Sequence, residues 1–128
     1  MRTSIATVSL SGSLTDKLHA CAAAGFDGVE LFEPDLIAND HSPEEIRALA
    51  CRLGLSLELY QPLRDIEGVD EQTFADNLRR AGATFATAQR LGIGVVLVCS
   101  NVATATVDSD EHSADQLRRL GETASGSP

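Results

Sequence analysis

The chain has 128 residues, 43% of them apolar, and carries 10 Lys and Arg against 19 Asp and Glu for a formal charge of −9. That length makes one domain with an ordinary core, and the acidic balance argues against a nucleic-acid partner, which is held by clustered cations. No apolar run approaches the roughly 20 residues that cross a bilayer, and the N-terminus lacks a secretory signature, so no membrane partner and a cytoplasmic location are expected.

Thr3 to Leu10 reads as a first strand, rich in β-branched residues, followed by a turn at Ser11-Gly12-Ser13. Ser13 is placed to cap a helix over about 14–24, where Leu14, Leu18, Cys21 and Ala22 keep helical spacing. A second strand covers about 28–33 and is broken by Pro34. After a loop to His41, Ser42-Pro43-Glu44-Glu45 sets a cap, a first-turn proline and a capping-box glutamate at the start of a helix that runs to about Leu53. A third strand is expected over about 55–61, then a loop from Pro62 to Val69. The longest helix spans about 70–91, with Phe74, Leu78, Phe85, Ala88 and Leu91 along one side. The fourth strand, about 94–100, is apolar without alternation, as expected when both faces are covered. A Thr-rich loop leads to a last helix over about 110–120, capped near Asp110. Gly121 then repeats the stop signal without a following strand, and 121–128 reads as a disordered or truncated tail to a domain over 1–120.

Gly25, Gly54 and Gly92 each close a helix and precede an apolar strand, the rhythm of parallel α/β proteins. Four βα units fit either an open doubly wound sheet or half of an eight-stranded barrel. No GxGxxG or Walker loop follows any strand, so the reading is α/β, a parallel (βα)4 half of a TIM (β/α)8 barrel. Cys21, Cys51 and Cys99 are far apart and lack metal or CxxC spacing; all three read as small core residues in a reducing compartment.

Four strings narrow the family: Arg2-Thr-Ser-Ile-Ala-Thr-Val-Ser-Leu-Ser-Gly12, Ala24-Gly-Phe-Asp-Gly-Val-Glu-Leu-Phe-Glu-Pro-Asp-Leu36, Tyr60-Gln-Pro-Leu-Arg-Asp-Ile-Glu-Gly68 and Val98-Cys-Ser-Asn-Val102. Together they resemble the N-terminal half of bacterial 3-dehydroshikimate dehydratases, within the xylose-isomerase-like barrels. The resemblance implies a metal-dependent lyase that makes protocatechuate, with Mg, Mn or Co stabilising an enolate. It also implies carboxylate metal ligands from the later strands, beginning with a glutamate on the fifth. None of those falls within these residues, so no metal ligand is assigned and none is expected to bind this stretch, which alone should be inactive. Two other readings stay open: a sugar or sugar-phosphate isomerase or epimerase of the same superfamily, and a non-catalytic truncated module that self-associates as a homo-oligomer through an open half barrel.

In such a barrel the site forms at the C-terminal strand ends. Arg64, just after the third strand, is placed to grip the carboxylate of a polyhydroxy-acid substrate with two hydrogen bonds, against the plainer role of an ion pair with Asp65 or Glu67. Glu30 and Glu33 point to opposite faces of one strand, and Glu33, nearest the tip, is preferred as the polar contact. Gln61, Ser100 and Asn101 are placed either to bond substrate hydroxyls or to satisfy loop backbone groups. Tyr60 reads as core, His41 as solvated before a helix cap, and His19 and His112 as surface residues.

Overall fold

The computed structural model describes residues 1–103 and 106–126. It contains β1 (Ser4–Ala6), α1 (Leu14–Ala23), β2 (Gly28–Phe32), α2 (Glu33–Ala38), α3 (Pro43–Arg52), β3 (Ser56–Arg64), α4 (Glu71–Leu91), β4 (Val96–Cys99) and α5 (Asp110–Ser125). The strands form a four-stranded sheet in the order β1-β2-β3-β4, and the β1–β2 and β2–β3 pairings are parallel. By its internal contacts the chain divides into two compact units, Met1–Pro62 with Thr87–Leu97, and Leu63–Ala86 with the described residues from Val98 onward.

The first unit is organised by its caps. Ser13 accepts from Asp16 N to start α1, and Ser42 with Glu45 completes the expected capping box of α3. Gly25 and Gly54 follow these helices at φ 85° and 72°, a left-handed conformation that ends a helix without a Cβ clash. The core gathers Leu14, Leu18 and Cys21 of α1, Val29 and Leu31 of β2, Ile46 and Ala50 of α3, and Tyr60 of β3. Burial also raises the pKa of the Cys21 thiol above its ordinary value.

One irregularity decides which side chains share a face. Val29 pairs with Leu57 but Glu30 pairs with Leu59, so Glu58 is an extra residue in β3. Beyond it the parity of β3 is reversed. Tyr60 therefore lies opposite Leu31 in the core, while Gln61 lies opposite Phe32 on the face that also carries Glu30. Glu58 itself pairs with Arg2.

In the second unit, Asp70 caps α4 by accepting from Thr73 N at 2.9 Å and Thr73 Oγ1 at 2.7 Å, bonds that hold its carboxyl below the usual carboxylate range. Ser109, one residue before the expected cap, starts α5. Phe74 is fully buried with the Arg119 guanidinium 4.6 Å from its ring centre.

Several sequence expectations are revised. The first strand is only three residues long, because Thr7–Ser9 turn into a 3-10 helix. The loop after Pro34 holds α2, with the proline in its first turn. The third strand runs three residues further, to Arg64, through a cis Gln61–Pro62 bond. β4 is not covered on both faces: Val95, Leu97 and Val98 are 54%, 40% and 37% exposed. Gly121 does not stop the last helix, which continues to Ser125, so the tail expected from 121 is helical over its first five residues. Cys51 is exposed and Cys99 half-buried, leaving only Cys21 as the expected core cysteine.

Candidate functional site

The strand ends of the first unit are held by polar contacts. Thr7 is fully buried, and its Oγ1 accepts from Phe32 N at 3.0 Å, which fixes the end of β2 against the turn after β1. Gln61 Nε2 donates to Glu30 Oε2 at 3.2 Å, a contact that exists because the Glu58 irregularity puts both on one face. Glu33 is not a strand tip; it is the first residue of α2, and its carboxylate bonds to the Tyr60 hydroxyl. Burial first, then the Glu33 charge and hydrogen bond, hold the Tyr60 hydroxyl above the usual tyrosine range. Tyr60 is a core residue at 1% exposure, as the sequence suggested.

Sequence reasoning overlooked the device that sets α2 in place. Lys17 Nζ donates to both Asp35 oxygens at 3.0 Å, with the side chains 7% and 17% exposed. A lysine on the apolar face of α1 was the available signal, since lysine is almost never buried unless paired.

In the second unit, Arg64 ends β3 and is exposed. Its guanidinium forms no ion pair among the described residues, and one oxygen of each neighbouring carboxylate is taken by a backbone amide. Asp65 Oδ1 accepts from Val102 N at 3.4 Å and Glu67 Oε1 from Asn101 N at 2.8 Å. Asp65 takes a left-handed φ of 57°, tolerated best by Asn and Asp outside glycine. Its carbonyl accepts from Asn77 Nδ2 at 3.0 Å and Arg80 Nη2 at 3.4 Å, and the Arg64 carbonyl accepts from Arg80 at 2.8 Å. The turn that presents Arg64 is therefore fastened by α4.

Asn101 is bound twice to Glu67, through its backbone N–H and through Nδ2 to the Glu67 carbonyl at 2.8 Å. Its Oδ1 accepts from Ala103 N at 2.8 Å. These bonds match the loop-satisfying alternative for Asn101; Ser100 beside it is exposed. Glu67 is 7% exposed, and its Oε2 is buried without a hydrogen-bond partner among the described residues. An open polar cleft of about 430 Å³ lies here, lined by Gly68, Asn101, Asp108, Ser109, Asp110 and Ser113.

Behind the loop, Gln116 of α5 is fully buried and treats Val69 as a neighbouring strand would. Its Oε1 accepts from Val69 N at 3.2 Å and its Nε2 donates to Val69 O at 2.9 Å. His112, expected as a surface residue, is half-buried, with Nε2 2.6 Å from the same carbonyl. His19 is exposed, as is His41, whose Nδ1 lies 3.4 Å from Glu45 Oε2. Among the described residues no three His, Cys, Asp or Glu side chains gather into a group that could hold a metal ion, and no helix is long and apolar enough to cross a membrane.

A parallel βα chain whose polar residues collect at the C-terminal strand ends is the pattern of one large barrel class. The chain belongs to the xylose isomerase-like TIM barrel family, whose model matches residues 18–126. It is 52% identical over 124 residues to a 3-dehydroshikimate dehydratase of Pseudomonas aeruginosa and 49% identical to one of Pseudomonas putida, covering 97% of this chain in both comparisons. The chain spans 20% of the length of each relative. Among solved structures it resembles a xylose isomerase-like TIM barrel/4-hydroxyphenylpyruvate dioxygenase fusion protein, with a TM-score of 0.95 and 49% identity over 98% of this chain and 20% of that one. The IOLI protein, solved with a binding zinc atom, shares the fold alone at 19% identity and a TM-score of 0.81, over 97% of this chain and 48% of its own.

Proposed function

We propose that this chain is the substrate-gripping N-terminal half of a barrel dehydratase that converts 3-dehydroshikimate to protocatechuate, a cytoplasmic lyase of aromatic catabolism. The observation that carries the reading is Arg64, a cation at a strand end whose natural structural partners, Asp65 and Glu67, are bound to backbone amides instead. A planar guanidinium left available matches a carboxylate with two parallel hydrogen bonds. Beside it in the same unit, the exposed Ser100 supplies a hydroxyl that can bond those of such a ring. A divalent metal, when bound to the whole enzyme, would supply the stabilisation of enolate charge; the part proposed for the residues described here is to bind and orient.

Two measurements test this. The purified chain, given Mn²⁺ or Mg²⁺ and 3-dehydroshikimate, is expected to form no protocatechuate; turnover at a rate proportional to chain concentration would refute the division of labour. In a binding titration with 3-dehydroshikimate, Arg64→Ala is expected to weaken affinity roughly 10- to 100-fold, the worth of about 1.5–3 kcal/mol for hydrogen bonds to a charged group. Arg64→Lys should fall between, because an ammonium cannot fork. Equal affinity of wild type and Arg64→Ala would remove the proposed role.

A further inference from the structure

Three consecutive carbonyls of the turn at the end of β3 are held by one helix. Asn77 Nδ2 donates to the carbonyls of Asp65 and Ile66, both at 3.0 Å, and Arg80 Nη2 donates to those of Arg64 at 2.8 Å and Asp65 at 3.4 Å. Asn77 and Arg80 stand three apart on α4 and so share one of its faces. All of these residues belong to the second unit. Asp65 is the one non-glycine residue with a positive φ among the described residues, at 57°, a conformation that persists only where its surroundings hold it. An arginine in this place departs from the habit of the chain. Arg2, Arg79, Arg90, Arg118 and Arg119 each hold a carboxylate, and 19 acidic side chains are on offer. Arg80 forms no ion pair among the described residues and binds neutral backbone instead. A charged donor makes hydrogen bonds roughly twice as strong as a neutral one, so the stronger clamp falls on the residue that carries the exposed guanidinium.

We infer that Arg80 and Asn77 are positioning residues: by holding the carbonyls of residues 64–66 they aim the Arg64 side chain at its ligand, without bonding the ligand themselves. This deepens the reading of Arg64 as a carboxylate grip and rests on it. Arg64 is exposed and has no ion pair among the described residues to orient it, so the direction in which its side chain leaves the turn is set by its backbone. A guanidinium forks onto a carboxylate only when its plane meets both oxygens. A shift of about 1 Å in such a gripping group is enough to lose much of its effect. Two other roles for Arg80 make different predictions. A plain packing role would lower stability without touching affinity, and a long-range pull on an anionic ligand would be shared by any neighbouring arginine.

The test is an NMR titration of the 128-residue chain with 3-dehydroshikimate, on variants that keep the wild-type helical circular dichroism. Arg80→Met is expected to weaken affinity roughly 2- to 10-fold, the worth of one or two hydrogen bonds. Arg80→Lys, which keeps the charge and a donor, should recover part of the loss. Arg79→Met removes the same charge one residue away, where the side chain pairs with Asp76, and should leave affinity unchanged. On an Arg64→Ala background, Arg80→Met should add no further loss, because the residue it aims is gone. Arg80 is exposed, so its variants should fold; Asn77→Ala is the second variant and is expected to act in the same direction. Wild-type affinity in Arg80→Met, an equal loss in Arg79→Met, or an undiminished loss on the Arg64→Ala background would each overturn the positioning role. If Arg64→Ala weakens binding and Arg80→Met does not, this inference alone falls. A wild-type chain that does not bind, or binds no better than Arg64→Ala, removes the Arg64 reading and this inference with it.

Discussion

Removing the carboxylate of Asp35 probes the contact that holds α2. That helix has six residues, too few to persist by its own hydrogen bonds, because an isolated helix below about 12 residues is marginal in water. Its anchor is the Lys17 ammonium, with both Asp35 oxygens at 3.0 Å and the lysine side chain 7% exposed. Breaking a buried pair costs about 3–5 kcal/mol because a charge is left without a partner, and the 17% exposure of Asp35 places this case near the lower end. For a chain of 128 residues, an unfolding entropy of about 2.1 cal/mol/K per residue makes 1 kcal/mol worth about 4 °C. Asp35→Ala is therefore expected to lower Tm by about 10 °C. Lys17→Met should cost less, since the more exposed Asp35 can take up water, and the double variant should recover most of the loss. The protein has one tyrosine and no tryptophan, so its intrinsic fluorescence reports the Tyr60–Glu33 bond directly, and Asp35→Ala should change it below the melting transition. A Tm drop under about 3 °C, or a double variant no more stable than Asp35→Ala, would refute the reasoning.

Two further outcomes follow. Tyr60 binds its proton more tightly folded than unfolded, so its contribution to stability is complete below about pH 10, the ordinary tyrosine value, and is lost as pH rises beyond it, at about 1.4 kcal/mol per unit. The phenolate absorption band should accordingly stay absent at about one unit above that value while the fold persists; a band that develops in the folded protein near pH 10 would contradict the burial of the hydroxyl. Gln116→Leu leaves the buried Val69 amide without its acceptor, with an expected cost of about 1–3 kcal/mol, and the exchange protection of that single amide by NMR should collapse first; unchanged protection would show that Gln116 does not hold the loop.

Helix starts were legible because a cap is a local signal: Ser13, and Ser42 with Glu45, name themselves within four residues. The parallel strand order was legible too, since each Gly-bounded apolar run follows a helix. What escaped was long-range. The extra residue at Glu58 is defined only by pairing with β2, so strand alternation alone could not show that Gln61 faces Glu30. Pro34 was read as a terminator, although proline is equally at home in a first helical turn, and that choice left Glu33 on a strand instead of at the start of α2. His112 reads as a surface residue on a polar helix; its partner, Val69, which the buried Gln116 also bonds, lies more than forty residues away in sequence. β4 reads as doubly covered from its apolar composition alone, which does not specify what packs on each face.

The link from Gln116 to Val69 spans 47 residues, and it sets an order of events during synthesis. As the nascent polypeptide leaves the ribosome, β3 and the turn at Asp65 emerge long before α5 does. Until that last helix arrives, the Val69 amide and carbonyl have only solvent to bond. The segment behind Arg64 thus acquires its final form late in translation, and a chain released before Gln116 has been added would keep the arginine but not the fastening behind its loop.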